Sequence, residues 1–421
     1  MRILAVVYCF PPLQFPAALC YLKLVLGLRA NGAEVEILTI DPLSFLSPSP
    51  GLNDPSCCQI VPADLVQHKI WSLETNRSVR VLKQLFGTTT LGMRFFEPKK
   101  REWTFPAFRY LRRLDLRRYD IVLTCSQPHV NHLIGLELKK KTGLPWIAYF
   151  SDPWSRNPYT QFPNQRVAEY HRSLETRVLE NANRVLFTSK EMLHLAERDN
   201  GAVLRGKTAV LPHSFVPEWY GPRPEPGAKS APIYILHTGH FYGPRSPAPF
   251  LRALGRLHRR QSLFGRIQID SYGSFPDEDR ETLTNEHLEQ VFRVHPVIPY
   301  LDSLALMRRH DALLLVDAKL TKTSESVFLP SKLVDYLGSG TPVMAVTPVP
   351  GCTARVVSET GGVVCNIEDE RTIEEALLHL LEVGCLPSPE PAAVRPYEHK
   401  EVSERLLSIM AELASGGPSA L

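Results

Sequence analysis

Across its 421 residues the sequence has no apolar run long enough to span a bilayer, which as a helix takes about 20 such residues. It has no C-x-x-C pair and no Cys/His cluster. The eight cysteines are scattered, with only Cys57 and Cys58 adjacent, so they read as reduced thiols of a cytosolic protein without a zinc site. No G-x-G-x-x-G follows the first strand-like run, which argues against a dinucleotide oxidoreductase. No G-x-x-x-x-G-K-[ST] is present either, which argues against a phosphate-loop NTPase, and Gly338-Ser-Gly340 is too short to stand for one. Short-period repeats and low-complexity segments are missing, and the 36 prolines are mostly spread through loops. Net charge is only +4, so the overall balance does not call for nucleic acid, and no nucleic-acid-binding module signature is found. The apolar opening, Met1 to Phe10, is short and stops at Pro11-Pro12, so it reads as a buried strand rather than a signal peptide.

What is there is the composition of a globular chain, 44% apolar and 22% charged. Its length is too great for one ordinary core and implies two domains. Charge is unevenly spread. Between Arg77 and Arg118 twelve Lys and Arg stand against Glu97, Glu102 and Asp115, a local +9. That segment, an insertion of about 76–118, interleaves cations with Leu, Phe and Trp. It reads either as a solvated helical insertion or as a surface resting on an anionic membrane, with Phe95, Phe96 and Trp103 dipping into the interface.

In chain order, Ile3 to Val7 reads as a strand, about Ala17 to Ala30 as a helix stopped by Asn31-Gly32, and Val35 to Thr39 as a second strand. Residues 43–118 fit no simple strand–helix alternation. Tyr119 to Thr124 is a strand leading into Cys125-Ser-Gln-Pro-His-Val-Asn-His132, and Leu144 to Trp154 is a strand with its carboxyl-end loop. Helix, strand and helix follow at Leu174 to Asn183, Arg184 to Thr188 and Lys190 to Asp199. The proline-rich stretch 216–232 reads as a linker between a first domain of 1–215 and a second of 233–395. In the second, Ile233 to Leu236 leads into a loop bracketed by Gly239 and Gly243 and ending at Arg245. The last helix, from about Glu398 to Ala414, carries Val402, Leu406, Met410 and Leu413 on one stripe.

The most informative stretch is Glu325 to Val346. Ala312 to Val316 before it is a short buried-type strand, Ser331 to Leu337 is helical, and Gly338, Gly340 and Pro342 stop it before the strand Val343 to Val346. The loop therefore lies at the carboxyl end of a parallel strand, where open α/β sheets bind ligands. Pro330 suits the position before the first turn, and backbone amides, the Ser331 hydroxyl and the Lys332 ammonium form an anion site suited to phosphate. Asp335 shares their helical face and could accept hydrogen bonds from a sugar diol.

Pro330-Ser-Lys-Leu333, followed by an acid and a Gly-x-Pro turn, resembles the donor-nucleotide loop of family-four retaining glycosyltransferases of the GT-B fold. The opening FPP and LRANGAEVEILT resemble the start of the same enzymes, and Ser126-x-Pro-x-x-x-His132 with Asp152-Pro-Trp154 resembles two loops of a subgroup. The resemblance implies an α/β chain of two facing Rossmann-like domains with parallel sheets and a cleft between them. It implies an acceptor site in the first and a nucleotide-sugar site in the second, with residues 396–421 crossing back to the first domain. The donor site would comprise Gly239, Tyr242, Gly243, Arg245, Pro330, Ser331, Lys332, Leu333 and Asp335. Asp152, Arg245 and Lys332 would be catalytic, and His129, His132 and Trp154 would touch the acceptor. Breaking a sugar–phosphate bond leaves negative charge on the diphosphate. Two fixed cations could hold that charge without a metal or cofactor, and no metal-ligand spacing appears near either loop.

Four departures from the family pattern stand out. Leu13-Gln-Phe-Pro16 replaces a glycine-rich loop, Ser151 replaces an arginine, Asp335 replaces a glutamate, and Val327 falls where a first acid is usual, with Glu325 and Ser326 nearby. The expected function is transfer of a sugar from a nucleotide-diphosphate donor to a polysaccharide or lipid-linked acceptor with retention. The setting would be the cytoplasm or the inner face of the membrane. A nucleotide-sugar epimerase and a non-catalytic nucleotide-sugar-binding relative remain as alternatives.

Overall fold

A computed structural model describes residues 1–13, 15–44, 55–73, 76–87, 89–223, 232–319 and 325–415. The chain forms two compact units, Met1–His213 with His399–Leu421, and Ser214–Glu398. Of the expected linker, Pro217–Trp219 forms a short 3-10 turn, while residues 224–231 lie outside the described ones.

The first unit holds seven parallel strands, β1 (Arg2–Val6), β2 (Glu34–Ile40), β3 (Gln67–Ile70), β4 (Ile121–Cys125), β5 (Trp146–Phe150), β6 (Arg184–Phe187) and β7 (Thr208–Val210). Their order is β3-β2-β1-β4-β5-β6-β7. The central strands are buried along their whole length, as parallel strands covered on both faces must be. The helix Pro16–Ala30 crosses between β1 and β2, with Pro16 at its first turn where no N–H is needed. The edge strand β3 was not foreseen. Its sequence, Gln-His-Lys-Ile, is mostly polar because one side is solvated, and only its pairing to Ile37–Ile40 reveals it.

The terminal helix His399–Ala414 belongs to this first unit and lies on the helix Pro16–Ala30. Val402, Leu406 and Met410 are buried, Ser403 Oγ donates to the Leu24 carbonyl at 3.2 Å, and Asn31 Nδ2 donates to the Lys400 carbonyl at 2.9 Å. Gly27 permits the approach, since a Cβ there would lie 2.2 Å from both the His399 carbonyl and Ser403 Oγ.

The second unit holds β8 (Ile233–Thr238), β9 (Ile267–Tyr272), β10 (Phe292–His295), β11 (Ala312–Val316), β12 (Val343–Thr347) and β13 (Val363–Asn366). They are parallel in the order β10-β9-β8-β11-β12-β13. The apolar run of β11 is explained by alternation between two cores: Ala312, Leu314 and Val316 enter one, Leu313 and Leu315 the other. The helix after it extends further than expected, over Ser331–Ser339. Gly338 sits inside it and Gly340, at φ 72°, closes it in the left-handed conformation.

In both sheets the strand order reverses beside the first strand, with β1 between β2 and β4 and β8 between β9 and β11. Loops after those strands are where such sheets hold ligands.

The segment 77–118 folds as three short helices with turns between them. Trp103, which one of the two readings of this segment places at a membrane interface, is fully buried and packs edge-on against Tyr8 at 5.4 Å. An indole held by the β1 end cannot dip into lipid. Phe95 is 46% exposed, and the side chain of Phe96 lies outside the described ones. Among the described residues no helix is long and apolar enough to cross a membrane.

Candidate functional site

In the second unit four loops converge at the carboxyl ends of β8, β9, β11 and β12. Thr238 ends β8, and Gly239 follows at φ 116°, a conformation that side-chain-bearing residues rarely adopt. A Cβ at Gly239 would lie 2.6 Å from Lys332 Nζ. The glycine therefore leaves room for the ammonium above the strand end. Tyr242 and Arg245 pair their main chains in both directions, at 3.1 and 3.0 Å, around a turn with Gly243 at φ 54°. This turn presents Arg245, whose guanidinium lies 5.4 Å from the Tyr242 ring centre. Tyr242 itself is 60% exposed.

Lys332 stands at the second position of the helix Ser331–Ser339. Its Nζ lies 3.4 Å from His237 Nε2, while His237 Nδ1 is 3.0 Å from Ser271 Oγ and the ring stacks on Phe241 at 4.2 Å. Burial and the nearby Arg245 charge bring the Lys332 ammonium down to about 7, and Asp317 works against that shift. Burial, with Lys332 and Arg245 beside it, holds His237 neutral by pushing it well below the usual histidine range. A neutral imidazole that donates to Ser271 can accept from the ammonium. Asp317, the residue after β11, places one oxygen 3.7 Å from Arg245 and accepts a 2.9 Å hydrogen bond from Thr347 on the other. Arg245 Nε is buried and has no protein partner among the described residues. Among the described residues two cations thus lie beside the buried carboxylate of Asp317, an arrangement that favours a multiply charged anion.

The helix end contributes less than the sequence suggests. Pro330 occupies the cap position and its carbonyl accepts from the Leu333 amide at 3.0 Å, which leaves the Ser331 and Lys332 amides. Leu333, expected to touch the donor, is fully buried in the core. Asp335 is 6% exposed, and the Tyr220 hydroxyl donates to its main-chain carbonyl at 2.8 Å. Burial and then the Asp335 charge raise the Tyr220 phenol. Val327 is buried, and the Ser326 carbonyl accepts from Cys352 at 2.7 Å.

Three members of this cluster, His237, Ser271 and Asp317, were not foreseen. Each stands at or next to the carboxyl end of a parallel strand, which is the signal that would have marked them.

In the first unit the loops after β4 and β5 are stitched together. Ser151 donates through its amide to Ser126 Oγ at 3.1 Å and through its hydroxyl to the Ser126 carbonyl at 2.8 Å. Serine at 151 thus has a structural partner where the family pattern has a cation. Gln127 Nε2 donates to Asp152 Oδ2 at 3.0 Å, so Asp152 is oriented at the β5 end. His129 stacks on Trp154 at 5.1 Å and 6°, and burial takes it down to about 3.

His132 and Trp154, expected to touch an acceptor, are buried residues. His132 is fully buried, with Nδ1 2.8 Å from Thr124 Oγ1 and its ring on Phe150 at 4.3 Å. Trp154 is 2% exposed and donates to His171 Nδ1 at 3.1 Å, with Glu97 on the far side of that imidazole at 2.9 Å. Among the described residues no three His, Cys, Asp or Glu side chains are grouped as metal ligands.

Residues 17–213 match the model of a glycosyl transferase 4-like domain. No curated protein matches the sequence. Among solved structures, a glycosyltransferase from Rickettsia africae ESF-5 superimposes with a TM-score of 0.65 at 12% identity, covering 98% of each chain. The lipopolysaccharide outer core galactosyltransferase WaaB gives 0.62 at 11%, covering 98% of this chain and all of that one. WaaG, a glycosyltransferase involved in lipopolysaccharide biosynthesis, gives 0.60 at 13%, covering 98% of each.

Proposed function

We propose, from the premise that residues 17–213 form a glycosyl transferase 4-like domain in a chain of GT-B fold, that the protein is a retaining glycosyltransferase. It transfers a sugar from a nucleotide-diphosphate donor to a hydroxyl of a polysaccharide or lipid-linked glycan precursor. The observation that carries this is the gathering of Lys332, beside Gly239, and Arg245, beside Asp317, at the strand ends of the second unit.

The bond between the anomeric carbon and the diphosphate oxygen breaks with its electron pair on that oxygen. The acceptor oxygen forms the new bond and gives up its proton to the departing diphosphate oxygen. Lys332 and Arg245 stabilise the charge that develops on the diphosphate, in a site dry enough for each to count, and no metal is needed. Asp152 is the catalytic carboxylate of the first unit, and His129 lies on the acceptor side.

Thermal shift with a panel of nucleoside diphosphates and their sugars tests the donor site. A ligand present at a hundred times its Kd adds about 2.7 kcal/mol to stability, a clear rise in Tm. Lys332→Ala and Arg245→Ala should each abolish the rise. No response to any diphosphate, or unchanged binding by both variants, would rule the donor site out. With donor and acceptor together, proton NMR of the product should show the donor's anomeric configuration, with turnover undiminished by EDTA. A rearranged sugar formed from donor alone would instead identify an epimerase.

A further inference from the structure

In the first unit three helices wall an open apolar groove of about 350 Å³: Arg77–Phe86, Thr90–Phe96 and Thr104–Leu111. Its lining includes Leu73, Val79, Leu82, Phe86, Phe95 and Phe105. Leu82, Phe86 and Phe95 are 47%, 50% and 46% exposed. The helix Arg77–Phe86 buries none of its residues, so its apolar stripe is not there to build the core. A contiguous apolar surface of this kind marks a binding face.

The charge around the groove selects the occupant. Its three helices carry Arg77, Arg80, Lys83, Arg94 and Arg109 and not one acid. Among the described lining residues the one carboxylate, Glu102, is 3% exposed and held by Lys83 at 3.1 Å. The groove therefore offers apolar walls on helices that carry cations and no acid, with Lys83 paired to Glu102. A sugar would find almost no hydrogen-bonding groups there. A long apolar chain beneath an anionic head satisfies both features.

We infer that this groove receives acyl chains from an anionic bilayer, with Arg77, Arg80 and Arg94 at headgroup level, and seats the first unit on the membrane surface. An apolar contact and a polybasic surface together give stable peripheral binding where either alone is marginal. The inference is independent of glycosyl transfer, because its test measures binding to lipid rather than turnover.

Sedimentation of the full chain with vesicles tests it. Vesicles of phosphatidylcholine alone should leave the protein in solution, and vesicles with an equal part of phosphatidylglycerol should pellet it. Raised salt should weaken the pelleting. Arg80→Glu should lose about fivefold or more in vesicle affinity, since each cation near such a surface contributes about that factor. The double change Leu82→Glu with Phe86→Glu lies on exposed positions, so the melting curve should hold while affinity falls by about tenfold or more. The emission of Phe86→Trp, less that of the parent protein, should shift to the blue on anionic vesicles. Pelleting that ignores phosphatidylglycerol, a double variant that binds as the parent does, or an indole that stays in water would each overturn the inference. So would a dimer in gel filtration that the double variant splits, since a second copy would then cover the groove.

Discussion

Lys332 pays in stability for what it contributes to binding. Its ammonium titrates at about 7 in the empty site against 10.5 for an ordinary lysine, because burial and Arg245 disfavour the charged form. Between those two values the unfolded chain holds a proton that the folded chain has released. Stability of the empty protein therefore rises with pH across that window, and the desolvation cost is felt in full below about pH 7. Replacing the residue by Met should stabilise the empty protein at pH 6 by on the order of 1 kcal/mol, while removing diphosphate binding. A diphosphate reverses the balance, since it favours the charged form. Affinity should then fall as pH rises from 6.5 to 8.5, with about half a proton taken up per ligand at pH 7 and nearly one at pH 8. Lys332→Arg should flatten that profile, because a guanidinium stays charged throughout. Asp317→Asn should move the midpoint to lower pH, since Asp317 supports the charge on Lys332. Calorimetry in two buffers of different ionisation enthalpy measures the proton uptake directly. A profile identical in wild type and Lys332→Arg would show that the ligand's own phosphate titrates, not the lysine. At this scale the sequence was half legible. Lys332 and Arg245 could be picked out because charged residues in loops after strands have few structural duties. His132 and Trp154 could not be told from core residues, since a histidine satisfied by Thr124 and an indole satisfied by His171 look the same on paper as ligand contacts.

Elements in this chain are positioned by close approaches as much as by hydrophobic pattern. The helix Ser331–Ser339 is held between β8 on one side, through the Tyr336 hydroxyl that accepts from the Thr238 amide at 2.9 Å, and Tyr220 on the other. Gly338 faces Tyr220 and Phe215, and a Cβ there would come within 2.5 Å of the Tyr220 hydroxyl and 2.4 Å of the Phe215 ring. Gly338→Ala should push the helix off this contact, destabilise the second unit by about 1–3 kcal/mol, and weaken diphosphate binding by moving Lys332. Gly239→Ala combines a left-handed backbone with a 2.6 Å approach to Lys332 Nζ, so its larger effect should fall on binding. Denaturant melts with and without nucleoside diphosphate separate the two effects. Equal losses in both variants would show that the glycines serve the fold alone. Element legibility follows the same physics. Strands buried on both faces, such as β5 and β11, announce themselves as apolar runs. The helix Asp277–Asn285 was missed because eight of its nine residues are charged or polar, and β3 because it is an edge.

For the whole molecule, the terminal helix is the feature that sequence distance conceals. His399–Ala414 follows the second unit in the chain yet belongs to the first, where Val402, Leu406 and Met410 are buried and Ser403 bonds to Leu24. Its amphipathic spacing shows that one face is covered but not by what, and only the structure identifies the helix Pro16–Ala30 as its partner. Removing residues 399–421 should therefore damage the part of the protein farthest from it in sequence. Each of the three buried side chains is worth about 1.5–3 kcal/mol, and their loss would also uncover the apolar flank of the helix Pro16–Ala30. The first unit should lose several kcal/mol, while the second keeps its own melting behaviour and its diphosphate site. Hydrogen exchange followed by mass spectrometry on the truncated chain reads both units in one experiment. Faster exchange should appear in Pro16–Ala30 and along β1 and β2, with protection of β8, β11 and the helix Ser331–Ser339 unchanged. Gly27→Leu, which drives a side chain into the His399 carbonyl, should reproduce the pattern in the full-length chain. Exchange that instead rises in the second unit would mean that the terminal helix supports the donor-binding half, and the assignment of this helix to the first unit would fail.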